Sequence, residues 1–185
     1  QREFNIQVEY VNVLADGSID LTHLSTLLSE DVKTLVSLMH VNNEIGTVLD
    51  LERVGLICKQ YKALFHSDTV QTMAHFRYDL SSTHIDLLTG AAHKFHGPKG
   101  IGFLYLSNRL QITPFITGGA QERNMRGGTE NVYGIVGLAK AMEIAYRDLD
   151  HDVAHVTSIK YKMMRMLEAE IPGVRFNGDT SEGNL

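Results

Sequence analysis

The apolar positions of this chain form short continuous runs, separated by stretches in which they recur every three or four residues. Runs of the first kind predict β-strands at residues 6–14, 34–41, 63–66, 85–89 and 101–106. The helical spacing predicts helices that begin after Asp20, after Asp50 and from Glu130, with a further long helix that Pro172-Gly173 ends. Strands that alternate with helices favour an α/β fold, with a mostly parallel sheet and helices on both of its faces.

Polar turns follow three of the predicted strands. Asn42-Asn43 comes after the second strand, Ser67-Asp68 after the third, and Ala92-His93-Lys94 after the fourth. In open α/β sheets, ligands bind beyond the carboxyl ends of the strands. We therefore expect the three turns to converge on one crevice.

Lys94 lies in a tight loop between two apolar runs, with Gly97, Pro98 and Gly100 just after it. A lysine held among apolar neighbours is partly desolvated, so its amine loses a proton more readily than that of a surface lysine. A neutral amine can form a Schiff base with a carbonyl cofactor. The alternative is an ordinary lysine on a surface loop, where most lysines lie.

The other turn residues favour the first interpretation when they are taken together. A carboxylate at Asp68 can keep a bound pyridine nitrogen protonated, which makes the ring an electron sink. Amide groups at Asn43 and Gln71 can bond a ring hydroxyl, and His93 can donate to a phosphate. Considered singly, Asp68 also fits a helix cap, Asn43 a turn residue, and His93 a polar residue satisfied by its neighbours. The combination indicates pyridoxal 5'-phosphate.

Charge and composition argue against several classes of partner. The chain has 17 basic and 22 acidic residues, a net charge of -5, and no basic block, which gives a nucleic acid or an anionic membrane no support. No apolar run approaches the length of a membrane span, and no signal peptide is visible. The single cysteine, Cys58, excludes an internal disulfide and suits a reducing compartment, so we expect a cytoplasmic location.

Four segments carry a resemblance to a known family. They are His40-Val-Asn-Asn-Glu-Ile-Gly46, Phe65-His-Ser-Asp-Thr-Val-Gln71, Ala92-His-Lys-Phe-His-Gly-Pro-Lys-Gly-Ile-Gly102 and Gly118-Gly-Ala-Gln-Glu-Arg-Asn-Met-Arg-Gly-Gly-Thr129. In this order they resemble the cysteine desulfurases, the NifS/IscS group of the class V aminotransferases, over essentially the whole chain. The resemblance implies part of the large domain of a fold type I pyridoxal phosphate enzyme. Such an enzyme removes sulfur from L-cysteine and releases alanine.

The resemblance also implies a role for each residue of the crevice. Lys94 is the catalytic, Schiff-base lysine, and Asp68 is the partner of the pyridine nitrogen. Asn43 and Gln71 contact the 3-oxygen of the ring, and His93 contacts the phosphate. No metal ligand is implied.

Thr129 and the glycines before it imply a second subunit. By resemblance, Thr129 reaches the phosphate of the neighbouring subunit's cofactor in a homodimer. Glycines before it would let the backbone approach another chain closely. The other implied partners are the L-cysteine substrate and a sulfur-acceptor protein, for iron–sulfur cluster assembly or another sulfur pathway.

The chain departs from the family at one position and at its ends. Ala91 replaces a phosphate-binding serine, so one phosphate bond is lost or is supplied by Thr89 or a backbone amide. The family's persulfide-forming cysteine lies beyond Leu185, and its N-terminal part falls before Gln1. Cys58 is no substitute, because it lies on an apolar helix stripe and is expected to pack in the core.

We therefore interpret the chain as a fragment. Residues 1–149 form the pyridoxal phosphate-binding large domain, incomplete at its N-terminus, and 150–185 form a linking helix and the truncated start of the small domain. The 185-residue chain alone is expected to bind cofactor weakly or not at all. Alanine release by that isolated chain would contradict this interpretation.

Three alternatives stay open. A selenocysteine lyase shares these motifs, and competition between the two substrates would separate it from a desulfurase. A metal-dependent hydrolase could use His66-x-Asp68 and His93-x-x-His96 as ligands, although Lys94 would then have no role. The third alternative is a non-catalytic fragment that only assembles with the rest of its own chain.

Overall fold

The computed structural model of the protein describes residues 6–178 and residue 180, so the ends of both predicted domains, 1–5 and 181–185, lie outside the described residues. The helices are α1 (Leu21–Leu27), α2 (Leu51–Gln60), the single turn α3 (Gln121–Asn124) and α4 (Val132–Glu170). The strands are β1 (Leu35–Met39), β2 (Leu64–Asp68), β3 (Leu87–Ala91) and β4 (Gly102–Leu106). A 3-10 helix, Ala92–Phe95, directly follows β3.

The four strands form one sheet in the order β1-β2-β3-β4. β1 pairs with β2, and β2 with β3, in parallel, whereas β4 runs antiparallel to β3. The segment between β1 and β2 contains α2, as expected for a crossover between parallel strands. The prediction of an α/β fold with a mostly parallel sheet flanked by helices is confirmed.

The two faces of the sheet differ in burial. Val36, Phe65 and Leu88 share one face and belong to the main hydrophobic core, together with Val54 and Cys58 of α2. The opposite face carries four leucine and methionine side chains that are 39–56% exposed in the part of the chain that the structure describes. These are Leu35, Met39, Leu64 and Leu104. Asp68 lies on this second face, since its register partners are Met39 and Thr89.

The predicted helix starts at Asp20 and Asp50 are confirmed. The Asp20 carboxylate accepts a hydrogen bond from the backbone N–H of His23 at 2.9 Å, and Asp50 accepts from the backbone of Arg53 at 2.9 Å. Each bond satisfies one of the N–H groups that the first turn of a helix leaves unpaired. Cys58 is fully buried on the inner side of α2, and burial raises the pKa of its thiol to about 12.

The predicted strand at residues 6–14 is wrong. This segment forms no strand in the structure, and its one sheet-like contact is an isolated bridge from Val13 to Ile19. Tyr10 is 84% exposed, and Ile6 and Val8 are exposed as well. An alternating apolar pattern produces a β-strand only when a neighbouring strand supplies backbone hydrogen bonds. None of the described strands pairs with this segment.

The prediction of two helices after Glu130 is also wrong, because α4 is continuous from Val132 to Glu170. The chain contains neither glycine nor proline at 147–152, so nothing there ends the helix. Charged side chains on the solvent side of a helix do not interrupt it. The helix begins two residues after the predicted start, with Asn131 as its cap.

Candidate active site

The candidate site lies at the edge of the sheet where β1, β2 and β3 end. Because these strands are parallel, their carboxyl ends meet at the same edge. Asn43 follows β1, Asp68 is the last residue of β2, and Lys94 follows β3. The topology therefore brings the three predicted turns to one edge.

Asp68 presents its carboxylate to solvent at the end of β2. Its Oδ1 accepts a hydrogen bond from the backbone N–H of Val70 at 2.8 Å, which fixes the side chain at the turn. Burial lowers the pKa of the nearby His66 imidazole, and the negative charge of Asp68 opposes part of this decrease. The carboxylate is thus held at the turn and remains open to a ligand.

The two asparagines in the turn after β1 have different roles. Asn42 Oδ1 accepts from the backbone N–H groups of Glu44 at 2.8 Å and Ile45 at 3.2 Å, so Asn42 builds the turn. Asn43 is exposed, and its amide donates to Glu44 Oε1 at 2.7 Å. The structural role that the turn requires is therefore filled by Asn42, and Asn43 remains available for binding.

Gln71 is half-buried in the turn that follows Asp68. The backbone carbonyl of Thr69 accepts from the N–H groups of Thr72 at 2.8 Å and Met73 at 2.7 Å, which closes the turn. Thr69 also donates to the carbonyl of Thr89, through its backbone N–H at 3.2 Å and through Oγ1 at 2.7 Å. These bonds tie the turn that carries Gln71 to β3, the strand that leads to Lys94.

Lys94 is half-buried in the 3-10 helix after β3, between the buried side chains of Ala92 and Phe95. Within residues 6–178 and 180, its amine takes part in no ion pair or hydrogen bond. His93 is exposed beside it. Ala91 precedes the helix and makes no side-chain capping bond. The geometry thus presents an uncommitted amine at the edge where Asp68 lies.

Thr129 is exposed in the loop before α4 and forms no hydrogen bond with the other predicted site residues in the described part of the chain. The glycines before it have a use within this chain. A Cβ at Gly127 would lie 2.8 Å from the backbone of Thr117 and Gly118, so two segments of the same loop come together there. Gly127 therefore allows a close approach between two segments of this loop.

A buried polar cluster behind the site was not predicted. His40 Nδ1 lies 2.7 Å from the Tyr78 hydroxyl and 3.0 Å from Thr72 Oγ1, and Thr72 Oγ1 donates to the Thr69 carbonyl at 2.8 Å. The Tyr78 hydroxyl donates to Thr72. Each hydrogen is used once if His40 carries its proton on Nδ1 and donates to Tyr78. The cluster supports the turn that holds Gln71. No local sequence pattern predicts this cluster, because His40 is far from Thr72 and Tyr78 in the sequence.

Stability is expected to fall on acidification because of His40. Burial lowers the pKa of this imidazole from 6.5 to about 4, and its side chain is 7% exposed. Between these values the unfolded chain binds a proton that the folded chain excludes, so the free energy of unfolding decreases as the pH falls. The contribution lost between pH 7 and pH 5 is about 2 kcal/mol. Urea unfolding at both pH values, on the protein and on His40→Gln, measures it.

His40→Gln serves as the reference because its other titrating groups are those of the parent protein. Between pH 7 and pH 5, the free energy of unfolding of His40→Gln is expected to decrease by about 2 kcal/mol less than that of the parent protein. An equal pH dependence in the two proteins would contradict the buried, neutral imidazole.

The arrangement of potential metal ligands bears on the hydrolase alternative. Among residues 6–178 and 180, no three His, Cys, Asp or Glu side chains are grouped so that they could hold a metal ion. His66, Asp68, His93 and His96 therefore form no ligand set of the kind that the hydrolase alternative requires. In the same part of the chain, no helix is long and apolar enough to cross a membrane.

Comparisons with known proteins agree with this geometry. The profile of the aminotransferase class-V family matches residues 1–184. The cysteine desulfurase IscS of Dictyoglomus turgidum is 40% identical over 179 residues, which are 97% of this chain and 45% of that protein. The mitosomal cysteine desulfurase of Trachipleistophora hominis is 42% identical, over 99% of this chain and 42% of that protein.

Solved structures show the same likeness. A NifS-like protein superposes with a TM-score of 0.85 and 40% identity, over 91% of this chain and 46% of that chain. The protein SspA, solved in complex with cysteine, superposes with a TM-score of 0.72 and 35% identity, over 77% of this chain and 41% of that chain. The chain thus spans less than half the length of these relatives.

Proposed function

The chain belongs to the class-V aminotransferase family, and on that premise we propose that the full-length protein is a pyridoxal phosphate-dependent cysteine desulfurase. The relatives named above support this assignment, since two of them are cysteine desulfurases and a third was solved with cysteine. The chain spans 45% of the first relative, so the activity of the whole protein is a proposal.

The observation that carries the proposal is the arrangement at the sheet edge. Three adjacent parallel strands end there. The amide of Asn43 follows β1, the carboxylate of Asp68 is on the last residue of β2, and the amine of Lys94 follows β3. The Lys94 amine has no partner among the described residues, and the Asp68 carboxylate is exposed. Pyridoxal phosphate enzymes supply an amine for the Schiff base and an acidic partner that accepts from the pyridine nitrogen, so Lys94 and Asp68 fit the cofactor.

When bound, pyridoxal phosphate supplies an electron sink that stabilises negative charge at the Cα of an amino acid. Lys94 would hold the cofactor through its amine before the substrate binds. The same amine would take the proton from the Cα of cysteine and later return one. Asp68 would accept a hydrogen bond from the protonated pyridine nitrogen and keep that proton in place.

The polar residues around these two would orient the ring and its phosphate. Asn43 and Gln71 can donate their amide N–H groups to the ring oxygen, and His93 can donate to the phosphate. Thr89 can replace the hydroxyl that Ala91 lacks, because its register with Asp68 places it on the same face of the sheet.

The sulfur must leave as a persulfide on a cysteine thiol. The sulfur of L-cysteine would be transferred to the thiol, giving L-alanine and a persulfide, with no external oxidant or reductant. Cys58 cannot accept it, because its side chain is 0% exposed and its thiol pKa is raised to about 12. We therefore propose that the accepting cysteine lies outside this sequence, since Cys58 is its single cysteine.

The remaining features of the proposal concern assembly. We propose a homodimer in which Thr129 contacts the phosphate in the other subunit, a sulfur-acceptor protein as partner, and a cytoplasmic location, which the single, buried cysteine supports. We also propose a large domain over residues 1–149 and a link to a small domain over 150–185. No described residue after Leu149 is buried, which supports this boundary.

Incubation of the full-length protein with pyridoxal phosphate and L-cysteine tests the proposal. Alanine is expected to form in a cofactor-dependent manner, together with sulfide when a reducing thiol is added. L-selenocysteine in the same assay separates the selenocysteine lyase, which would prefer that substrate. Failure to release alanine from either substrate would contradict the proposal.

A further inference from the structure

His75 contacts the backbone of Lys94. Its Nε2 lies 3.1 Å from the carbonyl oxygen of Lys94. Because a carbonyl oxygen can only accept, Nε2 must carry a hydrogen and donate it. Neither the sequence pattern nor the family motifs singled out this histidine.

The Lys94 carbonyl lies near the end of a short helix, where few backbone N–H groups are available to bond it. The 3-10 helix contains only the four residues Ala92–Phe95 and ends at His96, which is in the left-handed conformation with a φ of 65°. The Ala92 carbonyl accepts the backbone N–H groups of His96 and of Gly97, the latter at 2.8 Å. Carbonyls at the end of so short a helix depend on side chains or water, and His75 supplies the side chain for Lys94.

The backbone of His75 is itself tied to the turn that follows Asp68. Its N–H donates to the Thr72 carbonyl at 2.9 Å, and the Thr72 N–H donates to the Thr69 carbonyl at 2.8 Å. Ala74, directly before His75, is buried and has a φ of 64°, a conformation that few non-glycine residues adopt. These contacts form a continuous path from the residue after Asp68 to the carbonyl of Lys94.

We infer that His75 is a positioning residue that fixes the backbone of Lys94 relative to the Asp68 turn. The carboxylate and the amine come from different strands, and a single cofactor can use both only if their separation is constant. His75 links the two segments through its bond to the Lys94 carbonyl. This inference rests on the proposed function, because it assigns to His75 the placement of the lysine that holds the cofactor.

Three variants of the full-length protein test the inference. His75→Ala removes the donor, whereas His75→Gln keeps an N–H donor at the end of a side chain of similar reach. His155→Ala is the matched control. His155, on α4, and His75 line one groove between the 3-10 helix and α4, and His155 does not bond Lys94. The first measurement is amide hydrogen exchange of the peptide that contains residues 92–97, without cofactor. The second is the rate at which borohydride traps a pyridoxyl group on Lys94 at limiting pyridoxal phosphate.

His75→Ala is expected to speed exchange of that peptide and to slow trapping on Lys94 by about three- to tenfold, the factor that one ordinary hydrogen bond supplies. The melting temperature is expected to stay close to that of the parent protein, since the imidazole is exposed. His75→Gln is expected to recover most of the trapping rate, and His155→Ala is expected to behave as the parent protein does.

The outcomes separate this inference from the proposed function. If the unaltered protein forms no adduct on Lys94, the proposed function fails, and the inference fails with it. If the unaltered protein forms the adduct and His75→Ala does so at the same rate, only the inference is overturned. A lower melting temperature in His75→Ala without recovery in His75→Gln would also overturn it, because that result indicates packing and not positioning.

Discussion

Replacement of Lys94 by alanine is expected to abolish covalent attachment of pyridoxal phosphate and to lower cysteine turnover by about a thousandfold or more. Under the proposed function, the variant lacks both the amine that would hold the cofactor and the base that would move the Cα proton. Alanine release and the visible absorption of the protein with added cofactor measure the two losses. Circular dichroism is expected to show an unchanged fold, because the Lys94 amine has no partner among the described residues.

Lys99→Ala is the control for this prediction. Lys99 is an exposed lysine a few residues further along the same loop. Its removal changes the net charge by the same amount and is expected to leave both attachment and turnover close to those of the parent protein. Loss of cofactor attachment in Lys99→Ala, or retention of attachment in Lys94→Ala, would show that Lys94 is not the lysine that binds the cofactor.

Asp86→Ala is expected to have the largest effect on stability, a decrease of about 3 to 5 kcal/mol in the free energy of unfolding. The Asp86 side chain is only 2% exposed, and its two oxygens serve different donors. Oδ2 accepts from the backbone N–H of Phe65 at 2.8 Å, and Oδ1 accepts from Arg109 Nε at 2.8 Å. Alanine leaves the buried Phe65 N–H unpaired and removes the charge that Arg109 faces.

Urea unfolding measures the effect, and a surface ion pair supplies the control. Arg77 and Asp150 also form an ion pair, with a nitrogen–oxygen distance of 3.1 Å, but both side chains are well exposed. Asp150→Ala is therefore expected to change the free energy of unfolding far less than Asp86→Ala. Equal effects of the two substitutions would contradict the structural role assigned to the buried carboxylate.

Features that depend on neighbouring residues in the sequence were predictable. Asp20 and Asp50 cap their helices by bonding backbone groups three residues ahead. The Lys94 loop was recognisable because two apolar runs and a cluster of glycines enclose it. The meeting of the turns at one edge followed from the parallel direction of β1, β2 and β3, since the carboxyl ends of parallel strands lie at the same edge of a sheet.

Features that depend on distant partners were not predictable. Residues 6–14 have the apolar pattern of a strand, but the sequence does not state whether an edge lies beside them. The His40, Thr72 and Tyr78 cluster and the bond from His75 to Lys94 join residues that lie far apart along the chain. Such contacts have no period in the sequence, so only the folded chain reveals them.

A crystal structure of the full-length protein with pyridoxal phosphate would show whether Lys94 and Asp68 hold one cofactor between them. We expect electron density that is continuous from Lys94 Nζ to the cofactor, with the pyridine nitrogen at hydrogen-bond distance from the Asp68 carboxylate. Attachment to a different lysine, or a ring that Asp68 cannot reach, would contradict this expectation.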